Sequence, residues 1–222
     1  MNKRICAALL VAVLLLGALA PSAAASDVLA EYSDIDPEAW YAQGIRYCLE
    51  HELMNGYGKR VKIFSADRPI TRAQLVTILW RMEGAPELGL SMQYTDVPER
   101  RWYTEAVRWA TATEVMSGYD YLTFAPDEAI TREQLAAILW RYGRYRGGCG
   151  AMPEDASYDL YADRGDVSPY AEEALRWACA MGIISGERRK EGGVRLSPKA
   201  TSSRAATATI LMRFSLDFGV FD

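Results

Sequence analysis

Three arginines occupy equivalent positions in a repeated stretch of this sequence, and they are its strongest candidates for binding chemistry. The stretch reads Ile-Thr-Arg-Ala-Gln at 70–74, Ile-Thr-Arg-Glu-Gln at 130–134 and, more loosely, Ser-Arg-Ala-Ala at 203–206. Its arginines are Arg72, Arg132 and Arg204. A guanidinium group presents a planar fork of N–H donors that matches a carboxylate or a phosphate. The repeated arginines therefore indicate a site for an anionic ligand in each copy.

Each arginine falls at the start of a predicted helix. Thr71 and Thr131 stand at the N-cap position, and Gln74 and Gln134 follow at the spacing of a capping box. A cation at the first helical position opposes the helix dipole, so its repetition needs an explanation. Two interpretations fit the spacing. Either the arginine and the unpaired N–H groups of the helix terminus bind an anion together, or the arginine pairs with an acidic side chain inside the fold.

An apolar run of helical period follows each arginine, and a first helix precedes it. The distance from the arginine to the residue after an Ile-Leu or equivalent pair is eight positions in all three copies. We expect each first helix to end at a glycine in the left-handed conformation, at Gly56, Gly118 and Gly186. The sequence thus predicts helix–loop–helix repeats at 32–84, 94–144 and 161–215. Such short helices bury too little surface alone, so neighbouring repeats should share a core.

Acidic and aromatic residues recur at the start of each repeat. A Tyr-x-Asp motif supplies Asp34, Asp96 and Asp163 at the entrance to the first helix, where capping is a common use of aspartate. Trp40 and Trp102 follow, and Tyr170 takes their place in the third copy. These aromatic rings could stack on sugars, but at helical spacing they are expected in the core.

Residues 1–25 have the order of a secretory signal. Lys3 and Arg4 precede an apolar run that ends in small residues at 23–25. Cleavage after Ala25 would remove two basic residues and change the formal net charge from −4 to −6. A net negative charge argues against binding to nucleic acid or to an anionic membrane. We therefore expect an exported protein with no membrane contact in its mature form.

The cysteines and the single histidine give no support to a catalytic or metal site. The mature chain would retain Cys48, Cys149 and Cys179, an odd number that does not form a complete disulfide framework. Cys48 and Cys179 lie in apolar helical stretches, which predicts buried thiols. No Ser-His or Cys-His arrangement is evident around His51. We expect no catalytic residue, no bound metal and no cofactor.

Taken together, the repeats resemble surface-layer homology (SLH) domains, which occur as three tandem copies. The resemblance is carried by Tyr-x-Asp, the aromatic residue after it, Ser-Gly at 117–118 and 185–186, Phe-x-Pro-Asp at 124–127, and the Thr-Arg stretches. It implies a mainly α fold in which three helical prongs surround a pseudo-threefold axis, with binding grooves between them. It also implies that these grooves bind an anionic secondary cell-wall polysaccharide, often carrying a pyruvate ketal, through the repeated arginine.

The leading hypothesis is therefore a non-covalent cell-wall anchoring module on the surface of a Gram-positive-type bacterium. Its expected partner is the polysaccharide, and other surface proteins are further candidates. The predicted binding residues are Arg72, Arg132, Arg204, Thr71, Thr131, Asp34, Asp96, Asp163, Trp40 and Trp102. One alternative is a structural subunit of the cell surface that self-assembles. Another is an enzyme that cleaves wall glycans, which would need two carboxylates flanking the scissile bond.

The third repeat departs most from the pattern. Ser203 replaces threonine, Ala206 replaces the capping glutamine, and Lys199 stands where the other repeats have aspartate. Without the reciprocal amide we expect the helix start at Arg204 to fray and its groove to bind least, unless Lys199 replaces the missing anion contact.

Overall fold

The computed structural model describes residues 27–148, 157–188 and 193–221, so the predicted signal at 1–25 and Cys149 lie outside the described residues. In the described part the protein is mainly helical, as predicted. The α-helices are α1 (Ala42–Glu50), α2 (Arg72–Met82), α3 (Thr104–Ala112), α4 (Arg132–Tyr145), α5 (Glu172–Ala180) and α6 (Arg204–Asp217). Short 3-10 helices lie at Val28–Glu31, Ser157–Leu160, Arg164–Asp166 and Pro169–Ala171. Strands β1 (Glu187–Arg188) and β2 (Val194–Arg195) pair antiparallel. None of the described helices is both long and apolar enough to cross a membrane.

The second helix of each repeat packs against the first helix of the next repeat. α2 lies on α3, α4 lies on α5, and α6 returns to lie on α1. These three helix pairs are the prongs that the resemblance implies, and each one is built from two repeats. The last pair joins the first and the last of the described α-helices, so the arrangement is a closed ring.

The closing contact between α1 and α6 is tight because it has a glycine at its centre. A Cβ atom at Gly44 would lie 2.6 Å from the Cα of Thr209. Nearby, the buried thiol of Cys48 donates to the carbonyl oxygen of Ala208 at 3.7 Å. Burial raises the pKa of this thiol to about 12. Cys48 and Cys179 are both buried, as predicted.

A triangle of backbone hydrogen bonds surrounds the pseudo-threefold axis. The N–H of Ile70 donates to the carbonyl of Ser202 at 2.9 Å, Ser202 donates to Ile130 at 2.8 Å, and Ile130 donates back to Ile70 at 3.0 Å. All three residues are buried. Ser202 is the polar member of the set, and its hydroxyl is satisfied by the hydroxyl of Thr207 at 3.0 Å. Each repeat therefore supplies one side of a triangle that no single repeat can form.

The core is continuous through the prongs. Buried residues from all three repeats form one hydrophobic cluster. Within it the ring of Tyr142 on α4 stacks on Phe214 of α6, with centroids 5.5 Å apart, and meets Trp109 of α3 edge-on at 6.3 Å. The predicted sharing of a core between repeats is thus seen directly in ring contacts between helices of different prongs.

The glycines after the first helices do not have the predicted role. The left-handed conformation occurs four residues earlier in each repeat, at Glu52, Glu114 and Gly182, with φ of 55°, 58° and 68°. Gly118 is required for a different reason, since a Cβ atom there would lie 2.3 Å from the carbonyl oxygen of Thr123 and 2.5 Å from the ring of Tyr94. Its N–H donates a hydrogen bond to the hydroxyl of Tyr94 at 2.8 Å. The repeated glycine and the tyrosine of Tyr-x-Asp are therefore one packing unit.

We predict that Gly118→Ala destabilises the fold by about 1–3 kcal/mol, since the added methyl group must displace backbone and a buried ring. Urea unfolding followed by circular dichroism measures the loss. Gly165→Ala is the matched control, because a Cβ atom at Gly165 meets nothing within 4 Å. Equal stability of the two variants would contradict the proposed packing role of Gly118.

Candidate functional site

Three open grooves lie at equivalent positions on the molecule, and each is assembled from all three repeats. The loop and second helix of one repeat form its floor, a buried arginine comes from the repeat before it in the ring, and an exposed aromatic residue comes from the repeat after it. Groove one includes Asn55, Tyr57, Gln74, Arg81, Trp102 and Arg204. Groove two includes Ser117, Tyr119, Gln134, Arg141, Tyr170 and Arg72. Groove three includes Ser185, Glu187, Ala206, Arg213, Trp40 and Arg132. Their volumes are about 190, 240 and 330 Å³.

The repeated arginines join one repeat to the next through backbone carbonyls. Arg72 donates from Nε to the carbonyl of Phe124 and from Nη2 to that of Ser117, both at 2.7 Å. Arg132 makes the same pair of contacts with Leu196 and Ser185, and Arg204 makes them with Phe64 and Asn55. The three residues are 4%, 5% and 3% exposed, and burial lowers the pKa of each guanidinium. The fixed partners of the three arginines are thus backbone carbonyl oxygens. The interpretation that each arginine pairs with an acidic side chain inside the fold is therefore wrong.

The N–H groups at the helix starts are already occupied. The hydroxyl of Thr71 accepts from the N–H of Gln74 at 3.3 Å, and the Gln74 side chain accepts from the N–H of Thr71 at 3.1 Å. Thr131 forms the same capping box, so both boxes are confirmed. However, the N–H of Arg72 donates to the carbonyl of Glu128, and the N–H of Ala73 donates to that of Pro126, both at 2.9 Å. The interpretation that unpaired helix N–H groups bind an anion is therefore wrong.

The three aspartates of the Tyr-x-Asp motifs hold loops. Asp96 accepts from the N–H groups of Phe124 and Ala125 at 2.9 and 2.7 Å. Asp34 and Asp163 make the same two contacts in their own repeats. In each case the second N–H belongs to a residue in the left-handed region, with φ of 59°, 58° and 51° at Ser65, Ala125 and Ser197. Each carboxylate therefore fixes a strained turn in the loop that contacts one of the repeated arginines. The expectation that these aspartates cap the first helices is wrong.

The aromatic residues at the helix entrances are exposed, which corrects the expectation that they are core. Trp40, Trp102 and Tyr170 are 70%, 57% and 52% exposed, and each lies at the edge of a groove. Helical periodicity misplaced them because α1 and α3 begin two residues after Trp40 and Trp102. Trp109, which lies within α3, is buried as the periodicity predicts.

A comparison with protein-family models gives a match to the S-layer homology domain over residues 31–76 and 93–136. These two segments of the chain match S-layer homology domains. The two matched segments contain the first two predicted repeats up to the middle of their second helices. The third SLH-like repeat lies outside the matched residues, and its α5, α6 and buried arginine follow the geometry of the other two.

Curated relatives are similar to this chain over most of its length. An endoglucanase of Bacillus sp. (strain KSM-635) is 28% identical over 81% of this chain, and the Surface-layer 125 kDa protein of Lysinibacillus sphaericus is 26% identical over 96%. The cellulosome-anchoring protein of Acetivibrio thermocellus is 25% identical over 71%. This chain spans 18%, 17% and 34% of the length of these proteins, respectively. The similarity therefore leaves the greater part of each relative unmatched.

The third repeat keeps a well-formed helix start. Ser203 accepts from the N–H of Ala206 at 3.1 Å, and α6 begins at Arg204 as α2 and α4 begin at their arginines. The expected fraying at Arg204 is thus wrong in this structure. Lys199 does not take over an anion contact either, because its ammonium group donates to the buried carboxylate of Glu133 at 2.7 Å. The same carboxylate accepts from the hydroxyl of Tyr170 at 3.2 Å and so orients the aromatic residue of groove two.

Two sets of groove residues were not among the predicted site residues. The first is the arginine near the end of each apolar run, at Arg81, Arg141 and Arg213. The second is the residue after each repeated glycine, at Tyr57, Tyr119 and Glu187. Both sets occupy equivalent positions in the three copies, so aligning the repeats with one another could have found them.

Proposed function

We propose that this chain anchors protein to a cell wall by non-covalent binding of an anionic secondary cell-wall polysaccharide, with a pyruvate ketal as the charged group. The observation that carries the proposal is the lining of grooves one and two. Each combines two arginines with an exposed aromatic ring, on a chain whose formal net charge is −4. Local positive charge on an acidic protein favours a specific anionic ligand over general attraction to polyanions.

The geometry suggests how one sugar unit would bind in groove two. The guanidinium of Arg72 lies over the rings of Tyr119 and Phe124, 4.4 and 4.8 Å from their centroids, and is held in place by its carbonyl partners. Tyr119 is held in turn by the side-chain amide of Gln134, which donates to its hydroxyl at 3.2 Å. A carboxylate would contact the edge of this fixed guanidinium and the exposed Arg141 at the rim. The sugar ring would lie against Tyr170, since aromatic faces bind apolar sugar faces as they bind other apolar groups.

The proposal assigns different roles to the residues predicted from sequence. Arg72, Arg132, Arg204, Trp40 and Trp102 belong to the groove linings and are proposed ligand contacts. Thr71 and Thr131 support them by capping the helices. Asp34, Asp96 and Asp163 support them by holding the loops beneath the arginines.

Location and chemistry follow the same reasoning. Relatives named as a surface-layer protein and a cellulosome-anchoring protein favour a cell-surface location on a Gram-positive-type bacterium, in agreement with the secretory signal predicted at 1–25. We infer that the module is not catalytic, since the endoglucanase is matched over 18% of its length. Incubation with purified walls should then release no reducing sugar.

We predict that Arg141→Ala and Arg81→Ala each reduce co-sedimentation with purified cell walls at least about tenfold, because a charge-assisted contact contributes about 1.5–3 kcal/mol. Simultaneous engagement of several grooves by one polymer would enlarge the effect. Arg144→Ala is the matched control, because Arg144 lies on the same helix and contacts the ring of Trp140, outside groove two. Walls stripped of secondary polysaccharide should bind none of the variants. Equal binding by Arg141→Ala and Arg144→Ala would contradict the proposal.

A further inference from the structure

Groove three differs from the other two at two equivalent positions. The residue after the repeated glycine is Tyr57 in groove one, Tyr119 in groove two and Glu187 in groove three. The first two tyrosine hydroxyls accept from the amides of Gln74 and Gln134. In groove three this glutamine is replaced by Ala206. A hydrogen-bonded tyrosine–glutamine pair is thus exchanged for a carboxylate beside a methyl group.

The exchange changes the charge of the groove. The linings of grooves one and two each hold two arginines, and their described residues include no acidic side chain. Groove three holds Arg132 and Arg213 together with Glu187. The pKa of Arg132 is lowered by burial, and the neighbouring carboxylate of Glu187 opposes that shift. A carboxylate ligand entering groove three would therefore meet a charge of its own sign, which lowers its affinity.

The exchange also changes the size of the groove. Glutamate and alanine are smaller than tyrosine and glutamine, and groove three has a volume of about 330 Å³ against about 190 and 240 Å³ for grooves one and two. Its rim keeps the exposed ring of Trp40. Arg213 is oriented by a hydrogen bond from Nη1 to the hydroxyl of Ser185 at 3.3 Å.

We propose that groove three binds an uncharged sugar unit of the polysaccharide and discriminates against the carboxylate-bearing unit, with Glu187 as the specificity-determining residue. A carboxylate accepts hydrogen bonds from sugar hydroxyls, a guanidinium donates to them, and an aromatic face covers the apolar side of the ring. Groove three presents all three groups in its lining, whereas the charged side chains that line grooves one and two are arginines, which only donate. The inference rests on the proposed function, because it divides one polymer between two kinds of groove.

Nuclear magnetic resonance on the full chain can test the grooves separately, because Trp102 lies in groove one and Trp40 in groove three. Their indole N–H signals, assigned with Trp102→Phe and Trp40→Phe, report ligand binding in each groove. The probes are a methyl glycoside carrying a 4,6-pyruvate ketal, the same glycoside without the ketal, and its 2-amino analogue. We expect the ketal to shift the indole signal of Trp102 and the neutral glycoside to shift that of Trp40. The ketal should bind at least about fivefold more weakly in groove three than in groove one.

Glu187→Tyr combined with Ala206→Gln should give groove three the lining of groove one, so that Trp40 responds to the ketal as Trp102 does. Glu187→Gln removes the charge with little change in size and should produce part of this gain even where the double variant folds poorly. The proposal is overturned if Trp40 in the unchanged protein responds to the ketal as strongly as Trp102, responds to the amino analogue alone, or does not respond to the neutral glycoside. Failure of the proposed function gives a different result, namely no response of Trp102 to the ketal.

Discussion

A fragment of residues 27–148, which lacks the third repeat, should show no cooperative thermal unfolding and much less helix per residue than the full chain. In this fragment α1 loses α6, α4 loses α5, and the backbone triangle at the axis loses two of its three hydrogen bonds. Helices shorter than about 12–15 residues are marginal in water without tertiary contacts. The isolated second repeat, residues 94–144, should be unfolded for the same reason. Circular dichroism measures both fragments.

Mixing provides the control for this experiment. Adding a fragment of residues 157–221 to the 27–148 fragment should restore helix and a cooperative transition, because it returns α5 and α6 to their partners. A cooperative transition in either fragment alone, at the temperature of the full chain, would mean that the repeats are independent domains.

The second large effect is expected for Arg72→Ala. The substitution removes two hydrogen bonds from a charged group and leaves the carbonyls of Phe124 and Ser117 without their donor. Charge-assisted hydrogen bonds contribute about 1.5–3 kcal/mol each, so we expect the loss of two to lower the free energy of unfolding by about 3–6 kcal/mol. Arg72→Lys should recover little of this, since an ammonium group lacks the fork that reaches both carbonyls. Urea unfolding measures each variant.

Arg141→Ala is the matched control for stability, because Arg141 is exposed at a groove rim. It should change the free energy of unfolding by less than about 0.5 kcal/mol. A fully stable Arg72→Ala variant would show that the carbonyl contacts do not hold the repeats together. Conversely, if Arg72→Ala is unstable, its loss of wall binding reports folding, and the rim arginines become the proper test of the ligand site.

Sequence alone was sufficient for features that depend on local interactions. The repeated Thr-x-x-Gln spacing predicted capping boxes at Thr71 and Thr131, and α2 and α4 begin one residue after them. The hydrophobic period predicted the buried faces of the second helices, including Leu75 and Leu135. These features need information only from residues within one or two helical turns.

Features that depend on contacts between repeats could not be predicted in the same way. The period of α2 indicates an apolar face but does not identify the helix that covers it, which proved to be α3 of the next repeat. The carbonyl partners of Arg72 lie 45 and 52 residues away, in a loop with no side-chain signature for accepting a guanidinium. The local sequence predicted that Gly118 caps a helix. The ring of Tyr94, which excludes a side chain at Gly118, comes from 24 residues earlier and could not be identified from local sequence.

The sharing of each groove among three repeats has a consequence for how such a protein can evolve. The first repeat supplies the floor of groove one, Arg72 to groove two and Trp40 to groove three, and the other repeats contribute in the same cyclic way. Recombination that exchanges one repeat would therefore alter all three binding sites at once. A fourth copy inserted by gene duplication would have to open the triangle at Ile70, Ile130 and Ser202. Copy number is thus constrained by geometry, and new specificity is expected to arise by point substitutions within a single groove.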